Sequence, residues 1–162
     1  MRNKRTQELV LLAFLTALTT ALGLIVKIPT LNGVTTLLDV GIYFSAFYLG
    51  GRQGAIVGGC AGFLFDLLAG YPQWMFISLF AHGGQGYFAG WTGKKQLLGL
   101  VLATVSMVGG YFVASSLMYN VADAVTGLVA NILQNVVGLV LGYLLAQAAE
   151  RIGAVNHVFK RN

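Results

Sequence analysis

Apolar residues fill this chain in long runs, broken by short stretches of glycine, proline and charge. A helix needs about 20 such residues to cross the ~30 Å of hydrocarbon in a bilayer. The runs predict six transmembrane spans, at about 8 to 26, 38 to 50, 53 to 70, 74 to 92, 97 to 118 and 122 to 150. The second is short, so it is tilted, or shielded by its neighbours, or bounded differently. Between the first two spans, KIPTLNGVTTLL sets an Asn-Gly pair among β-prone residues. That pattern predicts a tight hairpin and a small ordered cap over one end of the bundle. The tail from Gly153 is expected to be loose.

The stretch from Gly54 to Gly90 organises the rest. Gly54, Gly58 and Gly62 recur at every fourth residue, as do His82, Gly86 and Gly90, so each arm has one helical face nearly bare of side chains. Helices in lipid associate through such faces, because close backbone approach replaces the missing hydrophobic drive. Glycine packing does not explain Asp66, His82 and Gln85, which hydrocarbon disfavours.

Composition agrees with the pattern. With 57% hydrophobic residues, 9% charged and a mean hydropathy of +0.76, the chain cannot coat a soluble globule with polar surface. The expectation is an all-α integral membrane protein, one compact six-helix bundle over residues 1–162. Cys60 is the single cysteine, which excludes disulfides and thiolate clusters. The net charge of +5 does not point to nucleic acid, because the cations sit at helix ends and form no basic stripe. With the N-terminus in the cytoplasm, Arg2, Lys4, Arg5, Arg52, Lys94, Lys95, Arg151, Lys160 and Arg161 fall inside and Lys27 alone outside, nine against one. This positive-inside bias places both termini in the cytoplasm. The run from Leu9 to Val26 is too long for a signal peptide and is read as a retained first helix.

In that frame Asp39, Asp66 and Asp123 lie toward the outer ends of their helices. At 1.5 Å per residue, His82 sits roughly 12 Å below the outer end of the fourth span and Asn131 roughly 13 Å below that of the sixth. Gln85 follows His82 at i+3, and Gln134 and Asn135 follow Asn131 at i+3 and i+4, so each set shares a helix face. If the two faces meet, they line a pocket open to the outside, with Asp66, Tyr71, Gln73, Trp74, Tyr119 and Asn120 nearer its mouth. Interhelical hydrogen bonding is the competing explanation. Asp123 is read as the N-cap of the sixth helix. Aromatic faces, amides and one histidine suit a small heteroaromatic ring with hydroxyl groups. An anionic ligand would want more cations than Lys27.

Ala13, Ala17 and Ala21 form a small-residue stripe on the first helix, suited either to packing inside the bundle or to docking another protein. No phosphate-binding loop occurs: Phe88 and Lys95 stand where Thr92-Gly93-Lys94-Lys95 would need glycine and a hydroxyl. Uphill transport would therefore draw its power from a partner. No paired carboxylates, HExxH motif or activated nucleophile supports an intramembrane enzyme, and no catalytic or metal-ligating residue is assigned.

The chain resembles the substrate-binding S components of energy-coupling factor (ECF) vitamin transporters. The resemblance rests on six spans with both ends inside, the stripe at Ala13, Ala17 and Ala21, the structured first loop, and GGCAGFLFDLLAGYPQW followed by HGGQGYFAG. It is nearest to members linked to pyridoxine, hydroxymethylpyrimidine or riboflavin uptake. It implies a prokaryotic cell-membrane protein that takes a vitamin from outside and docks, through the first-helix alanines, on a transmembrane coupling subunit driven by two ATPases. ATP is then hydrolysed by the partners, with no cofactor in this chain. It also implies a substrate between the first loop and the outer halves of the fourth, fifth and sixth helices. Pyridoxine or hydroxymethylpyrimidine is the favoured ligand, riboflavin the next; a stand-alone carrier or channel is the reading from another class.

Overall fold

The computed structural model describes residues 3–30 and 33–153. Within them the apolar runs form six helices and one two-stranded hairpin. Helix α1 is Lys4–Ile25, α2 Leu38–Leu49, α3 Gly51–Ala69 and α4 Met75–Ala89. Helix α5 covers Gly93–Met118 and α6 covers Val121–Arg151. A π-helical segment, Val105–Gly109, interrupts α5 halfway along.

The ends follow local chemistry. Helix α1 starts four residues before the apolar run, because the Asn3 side chain accepts a hydrogen bond from the Arg5 amide at 3.1 Å and caps a charged first turn. Gly50, at φ 111°, turns the chain straight from α2 into α3, so α3 begins at Gly51 and not at 53. Only glycine takes that backbone shape at no cost. Gly70 closes α3 in the left-handed region at φ 88°, and Pro72 opens a 3-10 turn, Pro72–Trp74, that leads into α4.

Strands β1, Lys27–Thr30, and β2, Gly33–Thr36, pair antiparallel with Lys27 opposite Thr36 and Thr30 opposite Gly33. The expected hairpin is therefore present. Asn32, half of the Asn-Gly signal, lies outside the described residues, as do Arg2, Lys160, Arg161 and the tail beyond Gly153.

Helix α2 explains its own shortness. Its 12 residues span about 18 Å, and Leu38, Asp39, Val40, Gly41, Ile42, Tyr43, Ser45, Ala46 and Leu49 are all buried. Neighbouring helices shield it from lipid. A Cβ on Gly41 would strike Thr19 of α1, and one on Gly142 of α6 would lie 2.6 Å from the Tyr43 Cβ. Helices α3 and α4 meet antiparallel along their glycine faces. A Cβ on Gly54 would lie 2.7 Å from the Gly86 carbonyl oxygen, and one on Gly62 would lie 2.8 Å from His82 Cδ2. The outward faces are apolar, with Phe14, Phe80, Leu117 and Val129 among the exposed side chains, as lipid contact requires.

By length and hydropathy alone, α1, α5 and α6 can each cross a membrane. The chain is an all-α membrane protein in which the shorter helices are packed among longer ones.

Candidate functional site

A cavity of about 100 Å³ lies at the end of the bundle that carries the hairpin. Val34, Thr35 and Thr36 of β2 cover it, Phe65 and Asp66 of α3 with Tyr71 and Trp74 form one wall, and Ser78 and His82 of α4 reach its interior. Tyr111 and Ser115 of α5 and Asp123, Gly127, Asn131 and Gln134 of α6 complete the lining. The lining holds acids, amides, hydroxyls and an imidazole, and neither lysine nor arginine is among its described residues.

Of the residues expected here, His82, Asn131, Gln134, Asp66 and Trp74 line the cavity. The two polar faces predicted to share a depth do meet in one site. Gln85 and Asn135 are buried but lie behind the lining. Asn135 Oδ1 accepts from Tyr43 at 3.1 Å and from Thr104 at 3.0 Å, so for Asn135 the interhelical role is the one realised. Tyr119 is exposed and tilts against Trp74 with ring centroids 6.0 Å apart, backing the wall without entering it. Asp123 is not the N-cap of α6. Asn120 is, accepting from the Asp123 amide at 3.0 Å, while the Asp123 carboxylate accepts in return from Asn120 Nδ2 at 2.7 Å. The cap comes one turn earlier because Asn120 is the residue with extended backbone at the helix start.

Asp39, Ser78 and Tyr111 are the residues that sequence reasoning did not bring to the site. Asp39 is fully buried near the start of α2 and accepts from Gln85 Nε2 at 2.8 Å and Gln134 Nε2 at 3.0 Å. With its nitrogen turned to Asp39, Gln85 presents Oε1 to His82 Nδ1 at 2.8 Å. His82 Nε2 lies 3.1 Å from the Tyr111 hydroxyl. Tyr111 touches Ser78, and Ser78 donates to Asp66. One chain of polar contacts thus joins Asp39 on α2 to Asp66 on α3 by way of α4 and α5. On the other side of Asp39, Gln134 Oε1 accepts from the Thr36 amide at 2.7 Å and fastens the hairpin to α6.

A second cavity, about 140 Å³, lies at the opposite end among Phe47, Trp91, Gln96, Tyr143 and Glu150. It is the larger, but no predicted site residue lines it and the convergent polar network belongs to the first. Along α1, Ala13 and Ala17 are exposed and Ala21 is half-buried, while Leu12, Leu15, Thr16 and Thr19 face the bundle. The alanine stripe therefore points away from its own fold.

The sequence profile of the ECF-type riboflavin transporter S component matches residues 3–151. The chain belongs to this S-component family. It is 48% identical over 159 residues to the thiamine precursor transporter HmpT of Lactococcus lactis subsp. cremoris strain MG1363, covering 96% of this chain and 95% of that one. It is 32% identical over 140 residues to an uncharacterised protein of Pyrococcus woesei, covering 80% and 92%. The S component of a bacterial ECF transporter has the same fold, with a TM-score of 0.73 at 22% identity, over 91% of this chain and 98% of that structure. The chain is thus the substrate-binding membrane subunit of an ATP-driven vitamin transporter, working with a coupling subunit and ATPase subunits in a prokaryotic plasma membrane.

Proposed function

We propose that this S component binds a small, single-ring nitrogen heterocycle, with the pyrimidine precursor of thiamine favoured and pyridoxine next. The observation that carries this is a small cavity, with no lysine or arginine among its described lining residues, in which Asp66 and His82 stand on one chain of polar contacts beneath the hairpin. An aminopyrimidine offers an amino group beside a ring nitrogen, and a protonated edge of that kind donates two parallel hydrogen bonds to a carboxylate. Asp66 is the carboxylate placed for that work: it lines the cavity beside His82 with a single side-chain partner, Ser78, whereas both oxygens of Asp39 are taken by amides and Asp123 is bonded to Asn120. Pyridoxine carries no such edge. The name of the 48% identical relative supports the same ligand.

Riboflavin is the second reading, because the matched family profile bears its name. A fused three-ring flavin with its ribityl chain belongs to pockets of some 300 Å³ or more, and the cavity of about 100 Å³ favours a single ring.

Within this reading, Asp66, His82, Asn131 and Gln134 bind the ring edges, Trp74 stacks, and Gln85 and Asn135 act from behind the lining. All six helices form one transmembrane unit with both termini in the cytoplasm, which puts the cavity outside. Lys4, Arg5, Arg52, Lys94, Lys95 and Arg151 stand at the helix ends opposite the hairpin and support that orientation. The chain contributes binding and no chemistry of its own. Ala13, Ala17 and Ala21 dock on the coupling subunit.

Native mass spectrometry of protein purified in mild detergent tests the ligand. A bound aminopyrimidine is the expected mass; a flavin mass would overturn the ligand and keep the class. Titration with hydroxymethylpyrimidine and with its analogue bearing oxygen in place of the amino group should show binding of the first and loss of at least tenfold for the second, since roughly 1.4 kcal/mol is tenfold and a charge-assisted pair exceeds that.

A further inference from the structure

Asp39 is not among the described residues lining the site's cavity, yet both of its oxygens accept from side chains that serve the site. We propose that Asp39 is a positioning residue: by holding Gln85 and Gln134 through their amide nitrogens, it fixes His82 in the Nδ1-protonated form and ties the hairpin to the cavity floor. The inference rests on the reading that His82 and the hairpin face the ligand.

A carboxylate has no donor, so each glutamine must turn its NH2 toward Asp39 and its oxygen away. The oxygen of Gln85 then meets His82 Nδ1 at 2.8 Å, and only a protonated Nδ1 makes that bond. The oxygen of Gln134 meets the Thr36 amide at 2.7 Å. Asp39 Oδ1 is itself 3.6 Å from His82 Nδ1, which favours a proton there electrostatically. His82 is left to present Nε2 toward Tyr111 and the cavity. One carboxylate on the most enclosed helix thus sets the hydrogen-bonding polarity of the floor and the position of the cap.

Asp39→Asn turns this into a determinate test. Asparagine keeps one acceptor and replaces the other with a donor, so one glutamine must flip. If Gln134 flips, its NH2 faces the Thr36 N–H and the bond is lost, because a backbone amide cannot become an acceptor. If Gln85 flips, its NH2 faces His82 Nδ1, and the imidazole answers by moving its proton to Nε2. The second route keeps every bond.

The chain has two histidines, His82 and His157, so 15N-histidine NMR on the full-length protein with His157→Ala reads His82 alone. The expected result is a protonated Nδ1 in the parent and a proton on Nε2 in Asp39→Asn, with affinity for hydroxymethylpyrimidine reduced at least tenfold. An unprotonated Nδ1 in the parent, or an unchanged spectrum in the variant, overturns the proposal. Gln134→Leu tests the other arm should Asp39→Asn not fold: it should leave the His82 spectrum unchanged and speed hydrogen exchange at the Thr36 amide, and unchanged exchange there counts against the tie. If the spectra behave as stated while the parent binds no pyrimidine or pyridine vitamin, the positioning role stands and the ligand reading fails.

Discussion

At the scale of single residues, partners decide what a polar atom in an apolar helix does. Three acids lie toward the hairpin end of the bundle, and each has a different fate. Asp39 is sealed between two glutamines, Asp66 looks into the cavity from beside Ser78, and Asp123 closes the first turn of α6 with Asn120. His82 and Asn135 divide in the same way. His82→Ala should weaken vitamin binding, because the imidazole lines the cavity, and also lower the unfolding temperature, because it leaves the buried Gln85 oxygen without its donor. Asn135→Ala should lower the unfolding temperature alone, by removing the acceptor of Tyr43 and Thr104, at a cost of about 1–3 kcal/mol. Titration and a thermal melt of each variant separate these outcomes; equal loss of affinity in both would return Asn135 to the lining. Gly127 allows a cleaner probe. It lines the cavity and an added Cβ would meet nothing within 4 Å, so Gly127→Leu should fill the site and abolish binding while the melt stays near that of the parent. What sequence revealed at this scale was the anomaly of a polar side chain in an apolar run, which sufficed for His82, Gln134 and Asp66. It did not reveal partnership. Asp39 meets Gln85 and Gln134 across separations of 46 and 95 residues, and Ser78 and Tyr111 are residue types that apolar helices carry without function.

At the scale of elements, the glycine faces carry the architecture. Spacing alone predicted a bare helical face at Gly54, Gly58 and Gly62 and another at His82, Gly86 and Gly90, and α3 and α4 meet through these faces, Gly54 against Gly86 and Gly58 against His82. An added Cβ at Gly86 would collide with the Gly54 carbonyl oxygen, whereas one at Gly83 would lie 3.6 Å from its nearest neighbour, in ordinary contact. Gly86→Leu should therefore part the two helices and destabilise the bundle by about 1–3 kcal/mol or more, and Gly83→Ala should be tolerated. Unfolding monitored in detergent checks both, and equal tolerance would remove close approach as the reason for the pattern. The hairpin was also legible, through alternation and its Asn-Gly signal. Two things were not. The π segment Val105–Gly109 was not read from Ser106 and the Gly109-Gly110 pair, which fit ordinary helix packing in an apolar run as well. The buried state of α2 depends on α1, α3, α4 and α6 packing around it, which no property of its own 12 residues encodes.

At the scale of the whole molecule, the outer surface has one face that its own packing does not use. Helix α1 turns Leu12, Leu15, Thr16 and Thr19 inward and leaves Ala13 and Ala17 exposed and Ala21 half-buried, so most of the small-residue stripe faces away from the bundle. Without a hydrophobic drive between helices in lipid, small side chains matter because they let a second backbone come near. A stripe of alanines facing outward is thus suited to a partner helix, and the family supplies one in the coupling subunit. Ala17→Trp should fill the groove that a partner helix would enter. The expected outcome is lost uptake in cells that hold the coupling and ATPase subunits, with vitamin binding by the purified variant unchanged, since Ala17 lies on the face of α1 turned away from the bundle. Val129→Trp is the control, an equally bulky change at a lipid-facing position of α6 that should leave uptake normal. Loss of uptake in both variants would indicate a general disturbance of the membrane surface, and normal uptake in Ala17→Trp would move the docking face off α1. On the proposed assignment, binding and docking occupy different faces of the molecule, so a single substitution should abolish either one and spare the other.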